Sequence, residues 1–216
     1  MSMRLVGVNT GRPAEVRHGD QRIRTGIFKH PVMGPVRVGM GNLEGDGQAD
    51  LKHHGGADKA VYAYALERYD YWRGVLQRQR LDYGAFGENL TIAGLDESVL
   101  CLGDRLRTGS AEFEITQPRV PCFKLGLRLD EPAMPRLFAD YAWPGVYLRV
   151  LREGMIEAGD TVHLIAREPR RVAIRPLFQA YLNPREQQAE QLMRQALEVP
   201  ALSAEWRRHL RQRLTV

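Results

Sequence analysis

Over the first 167 residues, apolar and polar positions alternate in short runs, not over helical turns. LRTGSAEFEIT (106–116) alternates around a Gly-Ser pair, the pattern of two strands joined by a turn. GVYLRVL (145–151) and TVHLIA (161–166) are apolar or β-branched runs of strand length, and VRVGM (36–40) and ENLTIAG (88–94) fit the same description. Between them lie clusters of turn formers, densest in GPVRVGMGNLEGDG (34–47). LGDRLRTG (102–109) and AGDTVHLI (158–165) both set Gly-Asp directly before a strand. Short strands with recurring turn signals predict a barrel or sandwich.

One long helix is predicted inside this region. Asp58 is placed to cap it, and Val61, Ala65, Tyr69, Trp72 and Leu76 follow at about four-residue spacing. Its aromatic residues are expected to pack on the sheet. PRLFADYA (135–142) predicts a shorter helix. After Glu168 the pattern turns helical. PLFQAYL (176–182) predicts a first helix. Asn183, with Pro184 and Glu186, predicts a capped second one carrying Ala189, Leu192, Met193, Ala196 and Leu197 on one face. Pro200 ends it, and Ser203 is expected to cap a third, with Trp206, Leu210 and Leu214 on one stripe. The expected organisation is a mainly β domain over residues 1–167 and a small three-helix domain over 168–216. So short a helical set needs the main domain or a second subunit to lean on, and a homodimer is a candidate partner.

Composition narrows the setting. The 216 residues are 44% hydrophobic and 26% charged, ordinary for a globular protein. No apolar run reaches the roughly 18 residues that span a bilayer, and no signal peptide is read at the N-terminus. The expectation is a cytoplasmic protein without membrane partners. Two cysteines, Cys101 and Cys122, are too few for a disulfide framework. The net charge of +5 is concentrated in the tail, where nine Arg face five acidic residues from Glu168 onward. Such a tail suits a solvated helical surface or an acidic partner.

Four stretches carry candidate chemistry. In QPRVPCFKL (117–125), Cys122 stands between prolines and beside Arg119 and Lys124, cations that favour a thiolate when close. It is either a packed bystander or a nucleophile and soft-metal ligand. Cys101, among apolar neighbours, reads as inert core. In DLKHHGGADKAVYAY (50–64), Gly55 and Gly56 precede the predicted helix start, whose unpaired N–H groups suit an anion, with His54 at its mouth. The alternative is a plain turn with a surface histidine. Adjacent His53 and His54 would point to opposite faces of a strand, and no second His or Cys pair lies at a zinc spacing, which speaks against zinc. In RTGIFKHPVMGPVRV (24–38), Arg24, Thr25 and Lys29 could hold an anionic group, and FGENLTIAG (86–94) offers the amide of Asn89.

In combination, HHGGADKAVYAY, FGENLTIAGL, LGDRLRTG and QPRVPCFKL resemble the MOSC domain family in order and spacing, and the three final helices resemble its YiiM-like branch. The resemblance covers nearly the whole chain. It implies a β-barrel-like fold and a molybdenum cofactor, a pterin with a phosphate and a metal-holding dithiolene. Pyridoxal phosphate binding belongs to the family's description only. It implies Cys122 as protein ligand to molybdenum and as a catalytic residue together with His54. Arg119, Lys124, Arg24, Thr25, His54, Gly55, Gly56 and Asn89 are implied around the cofactor. The implied activity is two-electron reduction of N-hydroxylated small molecules, nucleobase analogues among them. No G-x-G-x-x-G fingerprint follows a strand, so electrons are expected from a separate reductase. Two other readings stand beside it: a carrier passing sulfur from a Cys122 persulfide to metal–sulfur cofactors, and a nucleic-acid-binding tail. Nucleic acid is disfavoured, because no recognition helix of clustered Arg and Asn follows a tight turn.

Overall fold

The computed structural model describes residues 3–49 and 55–215. In chain order the strands are β1 (Met3–Thr10), β2 (Ala14–His18), β3 (Gln21–Thr25), β4 (His30–Pro31), β5 (Val36–Val38), β6 (Val61–Ala65), β7 (Leu90–Ala93), β8 (Arg105–Thr108), β9 (Ala111–Pro118), β10 (Val146–Arg152), β11 (Gly154–Ile156) and β12 (Thr161–Ala166). The helices are α1 (Arg68–Val75), α2 (Phe123–Leu129), α3 (Met134–Tyr141), α4 (Ile174–Leu182), α5 (Ala189–Leu197) and α6 (Ala204–Leu214).

Seven strands close a barrel in the order β12-β8-β9-β10-β6-β7-β1. Met3 and Arg4 of β1 pair with Val162 and Thr161 of β12, which removes the free sheet edges. Only β6 and β7 run parallel. The barrel interior is filled by alternate residues, such as Val146, Leu148 and Val150 on β10 and Phe113 and Ile115 on β9. The expected β8–β9 hairpin forms with Gly109-Ser110 at its turn. Both Gly-Asp turns are closed the same way. Asp104 accepts the Cys101 N–H at 3.0 Å, and Asp160 accepts the Glu157 N–H at 2.9 Å.

The expected long helix from Asp58 is corrected. Residues Ala57–Lys59 make one 3-10 turn, Val61–Ala65 is strand β6, and only Arg68–Val75 is α-helical. The cause is double burial. Val61, Ala63 and Ala65 face the barrel core, while Tyr62 and Tyr64 enter a second apolar cluster with Tyr69, Trp72, Phe86 and Phe138. A strand apolar on both faces shows no alternation, so its period cannot be told from a helix. The capping box at Asn183 is corrected as well. Asn183 ends α4 with its N–H on the Gln179 carbonyl at 2.9 Å, and α5 begins at Ala189. Ser203 caps α6 as expected, accepting the Trp206 N–H at 3.1 Å.

The three final helices share one apolar cluster with the barrel. Phe178, Met193, Trp206 and Leu210 belong to the same cluster as Leu102, Leu106 and Ile115. Backbone bonds tie them further, among them Leu102 N–H to Val172 O at 2.8 Å and Ser203 N–H to Thr116 O at 3.2 Å. No described helix is long and apolar enough to cross a membrane. Trp206 is fully buried. Trp206→Ala should therefore cost about 3–5 kcal/mol of whole-chain stability. Urea unfolding followed by far-UV dichroism should show one transition moved to lower urea. A separate early transition of the tail, with the barrel unaffected, would contradict the shared core.

Candidate active site

The loop after β9 sets the site. Pro118 ends the strand, having no N–H for further pairing. The chain then crosses the barrel rim to Cys122, which stands in extended conformation just before α2. Its carbonyl accepts the Leu125 N–H at 2.9 Å, while its side chain makes no capping bond. The thiol lines a cavity of about 100 Å³ formed with the segments around Thr25, Asp46, Lys59 and Asn89.

The cavity is cationic. Lys29, Lys59, Arg119 and Lys124 line it, against the single carboxylate of Asp46 among the described lining residues. Arg119 is 5% exposed. Its guanidinium donates to the Phe86 carbonyl and lies 4.7 Å from the Tyr62 ring centroid and 5.7 Å from that of Phe138. A carbonyl and two ring faces hold it in place without neutralising it. Lys29 pairs with Asp46 and Lys59 with Glu205. Burial lowers the Lys29 pKa, and the Asp46 charge opposes that shift. Burial pushes the Tyr62 phenol far up, so it stays protonated and donates to the Pro144 carbonyl at 2.9 Å.

Asn89 borders the cavity, yet its amide is committed inside the protein. Its oxygen accepts the Tyr62 N–H at 3.0 Å; its nitrogen donates to Asp46 Oδ2 at 2.9 Å and to the Asn9 carbonyl at 3.3 Å. It positions the wall. Glu88 does the same for the preceding turn. It accepts from the Tyr69 hydroxyl, from Gly84 and Phe86 N–H at 2.9 and 3.0 Å, and from Thr91 Oγ1 at 2.9 Å. Burial raises its pKa, and these donors hold it down.

The other expected site residues divide. Cys122, Arg119, Lys124 and Thr25 meet at the cavity. Arg24 does not: it is exposed on β3 opposite Glu15, because neighbouring strand residues face opposite ways. Gly56 has φ +93° and gives its N–H to Gln48 Oε1 at 2.8 Å, so it starts a single 3-10 turn. Neither Gly55 nor Gly56 is on the cavity wall. The α-helix start expected there is thus a single 3-10 turn. His53 and His54 lie outside the described residues. Sequence reasoning missed Asp46, Tyr62 and Tyr147 as wall residues. The DG turn at 46–47 was a signal only for a loop, Tyr62 looked like helix packing, and Tyr147 read only as part of a strand.

Residues 50–163, more than half of the chain, match the MOSC domain. The chain belongs to the MOSC domain family. Residues 179–215 match the YiiM-like 3-alpha helix domain, which places this MOSC protein in the YiiM-like branch. It is 37% identical to YflK of Bacillus subtilis, over 94% of this chain and 90% of that protein. The crystal structure of YiiM from Geobacillus stearothermophilus superposes with a TM-score of 0.82 at 35% identity, covering 98% of this chain and 99% of that one. A Gibberella moniliformis protein named a reductase is 33% identical over 76% of this chain, which spans only 29% of that protein. MOSC domains in general are associated with binding the molybdenum cofactor.

The two thiols differ in access. Cys101 is 2% exposed and donates to the Val99 carbonyl, and burial raises its pKa. Cys122 opens on the cavity. Iodoacetamide on the native protein should give one adduct, at Cys122, by mass spectrometry of tryptic peptides. Cys101 should react only after unfolding. A second measurement addresses the wall. Asp46→Ala leaves Lys29 without its ion-pair partner in a site where its side chain is 8% exposed. It should lower stability in urea by about 3–5 kcal/mol.

Proposed function

We propose that this MOSC protein reduces N-hydroxylated compounds with a molybdenum cofactor held at Cys122. The observation that carries the reading is the Cys122 thiol on the wall of a cavity lined by four cations. The reductase-named relative adds support for oxidoreductase chemistry.

The side chains present suit such a group. A thiolate is a soft ligand for a metal already bound by dithiolene sulfur. The cofactor is anionic, and Arg119, buried without a carboxylate partner among the described residues, offers charge where water is excluded. Lys124 adds to it from the first turn of α2. Thr25 Oγ1 already accepts the Ile27 N–H at 3.2 Å, which leaves its O–H as a donor. Asn89 and Asp46 act through the wall they hold. His54 is carried by the family resemblance as a further contact. When bound, the molybdenum centre supplies two-electron oxygen-transfer chemistry. The net change is R–NH–OH plus two electrons and two protons to R–NH2 and water, the electrons coming from an external reductase.

Cys122→Ser should fold normally but retain less than about a tenth of the molybdenum, a hydroxyl being a poor soft-metal ligand. Metal analysis by plasma mass spectrometry and pterin fluorescence after oxidation read this out. Reduction of an N-hydroxylated compound under a chemical donor should fall in parallel. Full metal content and full turnover in the variant would overturn the assignment. Sulfane sulfur on Cys122 of the purified wild type, without pterin, would favour the persulfide carrier instead.

A further inference from the structure

The β2–β3 hairpin stands apart from the barrel. Among the described residues its strands pair only with each other, as a two-stranded sheet. An isolated two-stranded hairpin is barely stable in water, so this arm takes its position from what it touches.

Register sorts its side chains. Residues paired across the two strands point to the same side, and alternate residues share that side. Glu15, Arg17, Arg22 and Arg24 therefore occupy one face, where all four are exposed and Arg22 pairs with Glu15 at 3.7 Å. Val16, His18, Ile23 and Thr25 occupy the other. Along that inner face Thr25 is 2% exposed and lines the Cys122 cavity, and Val16 and Ile23 are half-buried. At its far end the His18 ring lies 5.6 Å from the ring of Phe123, the residue that follows Cys122 and opens α2. The inner face thus begins on one wall of the cavity and ends, about 13 Å further on by strand rise, beside the thiol on another.

The two ends are held differently. At the base, Gly11 N–H donates to Asp46 Oδ1 at 3.0 Å, and Thr25 Oγ1 accepts the Ile27 N–H at 3.2 Å. A methyl group on Gly11 would strike the Phe28 carbonyl, and one on Gly26 the Gly47 carbonyl, so both legs of the arm enter the body through closely packed backbone. At the tip, the ring contact joins two exposed side chains, Phe123 being 47% exposed. Such a surface contact opens far more readily than the buried base.

We propose that the hairpin is a gate over the Cys122 cavity, anchored at Gly11 and Gly26 and latched by His18 on Phe123. Latched, its inner face narrows the approach to the thiol. Released, the arm swings outward as a unit and larger molecules reach Cys122. For any reaction at the thiol wall, such a gate admits a ligand when open and excludes water when closed. The gate rests on the hairpin geometry and is independent of the reductase reading.

The test compares two maleimides on the full-length chain, N-ethylmaleimide and the much larger fluorescein-5-maleimide, with the Cys122 adduct followed by mass spectrometry. Taking the ratio of the two rates cancels any change in the thiol itself. Wild type should react far more slowly with the large reagent. His18→Ala and Phe123→Ala should each raise the large-to-small ratio about 5-fold, the scale of one lost aromatic contact. Both positions are exposed, so the variants should fold normally. The double variant should match the single ones, because both remove the same latch. Hydrogen exchange of the protein as purified reads the latch without a free thiol. Amides of 14–25 should exchange faster in both variants, and those of β9 and β10 should not change. An unchanged ratio, an equal gain with both reagents, additive effects in the double variant, or unaltered exchange in the hairpin would overturn the gate.

Discussion

A carboxylate taken almost wholly out of water must be matched by donors, and Asp46 organises the site because of that requirement. Its side chain is 4% exposed. Lys29, the Asn89 amide and the Gly11 N–H at 3.0 Å all converge on it. These partners come from the loop before β4, the turn before β7 and the end of β1. One buried charge thus joins three separate segments of chain. Asn89 extends the tie to β6 through the Tyr62 N–H, and Tyr62 lies under Arg119. The cation that faces the cavity is therefore held by a chain of contacts that begins at Asp46. Any slack in that chain would leave a buried charge unmatched, so the wall has one arrangement.

The same economy of elements appears at the other end of the molecule. The three final helices bury Trp206 and Leu210 in the cluster that fills the barrel. They are less an appended module than one side of a common core, as their small size demands. That placement brings Glu205 and His209 to the rim beside Cys122. The positive charge of the tail lies on other faces of these helices; Arg208 and Arg211 are exposed.

Much of the fold was legible because it was written in local pattern. β8, β9, β10 and β12 alternate or carry β-branched runs between turn formers, and Ser203 caps its helix as its position predicts. β6 was not legible. Its tyrosines and alanines are apolar on both faces, and the aromatic spacing imitated a helix. Asn183 looked like an N-cap because Pro184 and Glu186 complete the local signature. It became the end of α4, its backbone pushed out of helical conformation by the Pro184 that follows.

The sequence by itself determined the class of fold, the helical character of the tail, and the closeness of Arg119 and Lys124 to Cys122. Those are short-range facts: seven residues between two turns decide a strand, and a cation two positions away follows its neighbour wherever it goes. Only the tertiary structure decided that the Asn89 amide is bonded to Asp46, that Arg24 is exposed opposite Glu15, and that Gln117 and His209 line one cavity with Cys122. Ninety-two positions separate Gln117 from His209. No local pattern encodes that meeting. It arises when barrel closure and the burial of Trp206 fix α6 against the rim, because the direction of a side chain depends on register and packing, which are properties of the assembled chain.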